Sequence, residues 1–316
     1  MAFSLAVPLP QSSFAQDLAR GLRGRPKHAA PKYFYDEAGS ALFDKICERS
    51  EYYLTRAELS ILREHAGSLG SRVGAGVRVV ELGSGSGAKT RPLLNALDRP
   101  EEYLAVDVTT EALDAAAAAL REAYPALRVI SVRADFTSAF ALPTPSPRVR
   151  ETLVYFPGST IGNLVPSDAV ELLHRVRAAC GRCSMVLGVD LKKAPARLHA
   201  AYNDAGGVTA AFNKNLLVRA NRELGTDFEL DSFAHYAFYA PVPGRIEMHL
   251  VSSKRQRVEL DREAFVFEQG ESILTEYSYK YTAPEVAKLA SRGGFRVAAW
   301  YTDSAEDFAV AFLESV

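Results

Sequence analysis

From Val77 to about Lys192, short β-branched runs alternate with longer helical patterns, the mark of a parallel sheet whose strands are joined by crossover helices. Five strands are expected, at Val77–Leu82, Tyr103–Val106, Leu127–Val132, Thr152–Phe156 and Ser184–Asp190. Between the second and third, the alanine-rich stretch Glu111–Tyr124, closed by Pro125, reads as a helix. Its small side chains suit close packing on a sheet. Pro143, Pro145 and Pro147 mark a loop between the third and fourth strands.

After Lys193 the rhythm stops. A segment rich in Asn, Gly and aromatics leads to alternating stretches, Arg245–Val251 and Arg257–Phe267, that read as antiparallel strands. Ala283–Gly293 reads as a helix, and Phe295–Tyr301 and Asp307–Leu313 as closing strands. The expectation is an α/β fold with an inserted α+β domain. The sheet domain would comprise 58–193 and 281–316, interrupted by a second domain made of 194–280 and 1–57.

Lys and Arg number 37 against 38 Asp and Glu, so the formal net charge is −1. That balance lacks the basic excess of nucleic-acid binders and suits an enzyme with a small-molecule substrate. A fold of roughly 300 residues buries about 75% of its unfolded surface, so neither a disulfide nor a metal is needed to stabilise it. Of the three cysteines, Cys180 and Cys183 form the sole close pair, without a second ligand pair beside it, and reduced thiols are expected. The six histidines are scattered, with no His-x-x-x-His on a helix, so no metal is expected. Met1–Pro10 has no basic n-region and two prolines, unlike a signal peptide, and no apolar run reaches membrane-spanning length. A cytoplasmic protein is expected, monomeric and without membrane or nucleic-acid partners.

The strand Val79–Leu82 ends in Glu81 and runs into Gly83-Ser84-Gly85-Ser86-Gly87, a glycine-rich turn before a helix. Glycines there take positive φ and let a ligand approach the backbone. Gly83, Gly85 and Ala88 also satisfy the dinucleotide pattern, so this motif alone leaves a dehydrogenase and a methyltransferase both open. Glu81 and the Gly-x-Gly-x-Gly run resemble the first motif of class I methyltransferases. Asp107 follows the second strand, 24 residues after Gly83, where a carboxylate can accept both ribose hydroxyls. Asp135-Phe136 after the third strand discriminates better, because methyltransferases commonly read adenine there with an acid and the next backbone amide. Asp135 is equally a natural turn former. Lys89 suits a methionyl carboxylate as a point charge, or else solvent.

The fourth strand enters Phe156-Pro157-Gly158-Ser159-Thr160-Ile161-Gly162-Asn163-Leu164 at the carboxyl edge of the sheet, where open α/β folds bind ligands. The amide of Asn163 can serve a carboxylate and an amine, or merely close a glycine turn. Glu276 and Ser278, two apart in an extended segment, face one way. Tyr52 and Phe43 read equally as core.

Tyr33-Phe34-Tyr35-Asp36, Glu51-Tyr52-Tyr53-Leu54-Thr55-Arg56, Glu81–Gly85, Gly158–Asn163, Ala201-Tyr202-Asn203-Asp204, Gly207–Asn213, Arg245-Ile246-Glu247-Met248 and Thr275-Glu276-Tyr277-Ser278 occur in order over nearly the whole chain. Together they resemble the histidine Nα-methyltransferases of ergothioneine biosynthesis. The resemblance implies S-adenosylmethionine as cofactor, S-adenosylhomocysteine as product, and three successive methylations of L-histidine to its betaine. It implies cofactor contacts from Tyr35, Gly83, Gly85, Lys89, Asp107, Asp135 and Phe136. For the amino acid it implies Tyr52, Phe43, Gly158, Asn163, Tyr202, Met248, Glu276 and Ser278, with Asn163 and Tyr35 positioning the amine and no certain catalytic base. Gly87 departs from the relatives, which carry a side chain there.

Three rivals are weighed. An enzyme for tryptophan or another aromatic amino acid would leave Glu276 poorly satisfied beside an indole. A nicotinamide oxidoreductase would bind NAD through the same glycine loop. A non-catalytic module would keep the fold without turnover.

Overall fold

The computed structural model describes residues 14–84, 89–108 and 110–316. Its strands are β1 (Lys27–His28), β2 (Val77–Leu82), β3 (Glu102–Asp107), β4 (Arg128–Arg133), β5 (Glu151–Phe156), β6 (Ser184–Asp190), β7 (Phe233–Ala240), β8 (Arg245–Ser252), β9 (Gln256–Leu260), β10 (Glu263–Phe267), β11 (Ser272–Tyr279), β12 (Phe295–Thr302) and β13 (Phe308–Ser315). Its α-helices are α1 (Phe14–Arg23), α2 (Glu37–Cys47), α3 (Leu54–Val73), α4 (Thr90–Ala96), α5 (Thr110–Ala123), α6 (Pro166–Cys180), α7 (Pro195–Tyr202), α8 (Val208–Leu224) and α9 (Ala283–Arg292). By residue contacts the described chain separates into two compact units. The first is Leu54–Lys192 with Lys280–Val316, the second 14–53 with Lys193–Tyr279.

The first unit holds a seven-stranded sheet in the order β12-β13-β6-β5-β2-β3-β4. The run from β4 to β6 is parallel, and β13 inserts antiparallel between β6 and β12. Every residue of β2 and of β6 is buried, as befits strands covered on both faces. The chain builds β3 and β4 to one side of β2 and then crosses to β5 on the other. That reversal opens a crevice at the carboxyl ends of β2 and β5, the position where open α/β sheets take their ligands. The expected ranges of the five parallel strands lie within one residue of those observed.

The chain leaves this unit after Lys192 and returns at Lys280, and both passages are tied to the end of β6. Tyr281 N–H donates to the Asp190 carbonyl at 2.9 Å, and Lys192 N–H to the Tyr281 carbonyl at 3.0 Å. The Lys280 ammonium meets the Asp190 carboxylate at 2.7 Å, with neither side chain exposed. A buried pair of this kind adds little net stability over apolar side chains of the same size, because desolvation offsets the attraction, but the loss of one partner alone is costly.

The second unit has a four-stranded sheet, β1-β11-β8-β7, with β1 parallel to β11 and the rest antiparallel. Helices α7 and α8 pack against it, and α2 packs on α8. Gly39 lets α2 begin close against the turn before it, because a Cβ there would overlap the Phe34 carbonyl oxygen. Asp36 caps α2 by accepting from Gly39 N–H at 2.8 Å and also takes a bond from Asn215 of α8 at 2.7 Å.

Two corrections arise here. Arg257–Phe267, expected as one strand, is a hairpin: β9 and β10 pair antiparallel about Asp261, whose φ of 55° turns the chain. Aspartate tolerates that left-handed conformation through its short polar side chain. The strand β7 was not anticipated, since its aromatic-rich sequence is only irregularly buried and lacks a clean alternation.

Candidate active site

At the carboxyl edge of the first unit, Gly83 N–H continues the sheet by donating to the Val106 carbonyl at 2.8 Å, and its φ of 70° then turns the chain away from β2. A Cβ at Gly83 would meet only the Phe136 ring, at 3.9 Å, so conformation rather than space demands glycine. Gly85 and Gly87 lie outside the described residues. Asp107 ends β3, and its carbonyl takes the Ala134 N–H at 3.0 Å, which brings the ends of β3 and β4 side by side. Asp135 follows directly. Its Oδ1 accepts from Thr137 N–H at 2.9 Å and from the Thr137 hydroxyl, so it closes a turn there. Phe136 stands edge-on to Phe156 at 5.5 Å.

Beneath this edge lie two buried carboxylates. Glu81 accepts from the Thr90 hydroxyl at 2.6 Å and the Tyr103 hydroxyl at 2.7 Å. Burial pushes its carboxyl up to about 7, against those two bonds and the Lys89 charge. Glu58, on α3 and 0% exposed, accepts the Gly158 N–H with both oxygens at 3.0 Å and meets the Lys89 ammonium at 2.7 Å. Lys89 is therefore ion-paired and not a solvated surface lysine. Gly158 and Ser159, both with positive φ, lead into the short 3-10 turn Thr160–Asn163 that carries Asn163. The Ser159 hydroxyl accepts from Asp190 N–H at 2.9 Å, which ties this loop to β6.

The second unit gathers a nest of aromatic rings. Tyr35 lies 5.7 Å from Phe43 and 5.6 Å from Phe212, Phe43 lies 6.3 Å from Tyr52, and Tyr52 lies 6.3 Å from Tyr202. Tyr202 and Ser278 exchange a hydroxyl hydrogen bond of 2.8 Å. Tyr52 is held well above the usual phenol range, first by burial and then by Tyr202, Cys47, Tyr35 and Glu276, so it stays a protonated donor.

Glu276 and Ser278 reach this nest through an irregularity in β11. The pairing Leu274↔His249 gives way to Glu276↔Met248 and Ser278↔Ile246, so Thr275 is an extra residue. Unbroken register would set Glu276 opposite Glu247 on the other face of the sheet. The bulge moves it to the face of Ile246, Met248 and Leu250, all buried. The alternation read from sequence thus gave the right mutual orientation of Glu276 and Ser278 without the bulge that selects their face.

Tyr35, Phe43, Tyr52, Tyr202, Met248, Glu276 and Ser278 all belong to the second unit, whereas Gly83, Lys89, Asp107, Asp135, Phe136, Gly158 and Asn163 belong to the first. Two residues escaped the sequence reading of the site. Glu58 sits in an ordinary helical stretch with no local signal, and Phe212 stands in Gly207–Asn213 with nothing to separate it from core. Among the described residues no cluster of three or more His, Cys, Asp or Glu could hold a metal, and no helix is long and apolar enough to cross a membrane.

A doubly wound sheet with an antiparallel seventh strand, a glycine turn after β2 and acids at the ends of β3 and β4 define a class I S-adenosylmethionine-dependent methyltransferase. Comparison with known sequences narrows this. The profile of a family described as histidine-specific methyltransferase, SAM-dependent, matches residues 14–315. The chain is 41% identical over 322 residues to a histidine N-alpha-methyltransferase of Mycolicibacterium smegmatis, covering 98% of this chain and 99% of that one. It is 29% identical over 295 residues to ergothioneine biosynthesis protein 1 of Neurospora crassa, covering 87% of this chain and 32% of that one. To a 4-dimethylallyltryptophan N-methyltransferase of Arthroderma benhamiae it is 26% identical over 324 residues, covering 96% and 93%. The chain belongs to the histidine-specific, SAM-dependent methyltransferase family.

Proposed function

We propose that this enzyme methylates the α-amine of L-histidine three times to give the betaine, the first step of ergothioneine biosynthesis. The observation that carries the reading is the shared face of Glu276, Ser278 and Met248 in one unit with Tyr52 and Tyr202. On it a carboxylate and a hydroxyl stand beside an apolar wall. Glu276 accepts one imidazole N–H in a charge-assisted bond, and Ser278 serves the other ring nitrogen. An indole has a single N–H and would leave the carboxylate against hydrocarbon.

In this reading the second unit is the amino-acid-binding domain and the first binds the cofactor. The donor set of the first unit fits S-adenosylmethionine: Asp107 accepts ribose hydroxyls, Asp135 and the Phe136 amide read adenine, and Gly83 admits the ligand to the backbone. The bound cofactor supplies a methyl group already activated on a sulfonium. Within the second unit Tyr202 donates to the substrate carboxylate and Tyr35 orients the amine. Such positioning is worth roughly 7–11 kcal/mol when it holds two reactants in line. An α-amine with a pKa near ~8 is partly neutral at cytosolic pH, so no strong base is required. The faces of Tyr35 and Tyr52 attract the cation that grows with each methylation.

Glu276→Ala tests the substrate. We expect it to weaken the binding of histidine far more than that of tryptophan, by calorimetry of both. Equal losses would remove histidine as the assigned substrate.

A further inference from the structure

Asn213 of α8 is 0% exposed and its amide is fully committed. Its Nδ2 lies 3.0 Å from the His249 carbonyl, which can only accept, and this fixes which end of the amide is nitrogen. The other end, Oδ1, must then be an acceptor, and the Thr275 hydroxyl donates to it at 2.7 Å. The same hydroxyl lies 3.0 Å from the Met248 carbonyl on the partner strand. The second Nδ2 hydrogen points at His235 Nδ1, 2.9 Å away, so that nitrogen accepts and the ring proton resides on Nε2. Nε2–H in turn donates to the Tyr202 carbonyl at 2.9 Å. Burial, the largest influence, holds His235 below the usual imidazole range, aided by the Lys214 charge and opposed by the Tyr202 carbonyl and Asp204, so the ring stays neutral. Each link leaves the next without an alternative orientation.

This chain ends on both sides at the proposed amino-acid site. One end is Thr275, the extra residue of the bulge, and the other is the backbone of Tyr202. We propose that Thr275, locked by Asn213, is a positioning residue that holds the β11 bulge and thereby sets Glu276 and Ser278 on the face of Met248, giving the enzyme its selectivity for an imidazole side chain. The proposal rests on the reading of Glu276 as the imidazole acceptor. A β-bulge is stable only where its extra residue has a place to go, and a buried hydroxyl with two acceptors supplies one. Without that bond, unbroken pairing would return Glu276 to the opposite face, beside Glu247.

The test uses the full chain with Thr275→Val, which keeps the shape and removes the donor, with Thr275→Ser as the rescue and Glu276→Ala as reference. KM and kcat for histidine, and the affinities for tryptophan and for S-adenosylhomocysteine by calorimetry, are measured for each. We expect Thr275→Val to raise KM for histidine about tenfold or more, with a much smaller loss of tryptophan affinity and wild-type affinity for S-adenosylhomocysteine. Thr275→Ser should restore the wild-type KM. If Thr275→Val does not fold, Thr275→Ala removes the same donor and is read in the same way. An unchanged histidine KM in Thr275→Val, where Glu276→Ala raises it, overturns the positioning role and leaves the substrate reading intact. So does a parallel weakening of histidine, tryptophan and S-adenosylhomocysteine binding, which marks general structural damage. An unchanged histidine KM in Glu276→Ala instead overturns the substrate reading, and this proposal with it.

Discussion

Glu81 illustrates how a single residue in a ligand motif can serve the fold. Its position before the glycine turn is shared with cofactor-binding loops, yet it accepts hydrogen bonds from two protein hydroxyls, those of Thr90 and Tyr103. Burial raises its pKa from 4.5 to about 7, so the folded state holds a proton that the unfolded chain has lost. The contribution is fully present below pH 4.5 and is lost as pH rises towards 7, on the order of 3 kcal/mol for a shift of that size. Glu81→Gln keeps an acceptor for both hydroxyls and cannot ionise. Thermal melts from pH 4.5 to 7 should therefore show wild type losing stability relative to Glu81→Gln as pH rises; a constant difference would contradict the assignment. The Asp190–Lys280 pair gives a second residue-scale prediction. Lys280→Met removes the ammonium that faces a buried carboxylate and should cost about 3–5 kcal/mol by chemical denaturation, and adding Asp190→Leu should recover much of it.

At the scale of elements, the parallel strands were legible because strands buried on both faces are rich in apolar, β-branched residues, and β2 and β6 keep that character despite Arg78 and Glu81 in the one and Ser184 and Asp190 at the ends of the other. The antiparallel part was harder. Register there depends on bulges and turns: Thr275 does not differ in type from residues that simply continue a strand, and Asp261, a turn former, stands within an alternation that runs on through it. The loop Gly158–Asn163 was visible through its glycines, but not its support, because Glu58 reaches it from a helix 100 residues earlier in the chain. Gly188 of β6 exposes that support to test: a Cβ there would overlap Glu58 Oε1 and stand 3.2 Å from Gly158 N. Gly188→Ala should thus displace Glu58 from Gly158 and Lys89, lower stability by about 1–3 kcal/mol and raise KM for S-adenosylmethionine. Unaltered melting and KM would show that the carboxylate has room to shift.

For the whole molecule, the change from a βα rhythm to a segment rich in aromatics marked where one kind of architecture gives way to another, whereas the order of the strands in the sheet came only with the structure. Substrate identity was less legible. Tyr35, Phe43, Tyr52 and Phe212 look like core until their rings are seen to gather with Tyr202 in one unit. Chemistry that recognises a cofactor is concentrated in a few loops after strands, whereas the proposed amino-acid groups come from widely spaced parts of the chain. The most direct measurement is to incubate the purified enzyme with S-adenosylmethionine and an equimolar mixture of the common amino acids, and to weigh the products by mass spectrometry. The account predicts that histidine alone gains methyl groups and ends as the trimethylated betaine. Methylated tryptophan in place of methylated histidine, or no methylated amino acid at all, would contradict it.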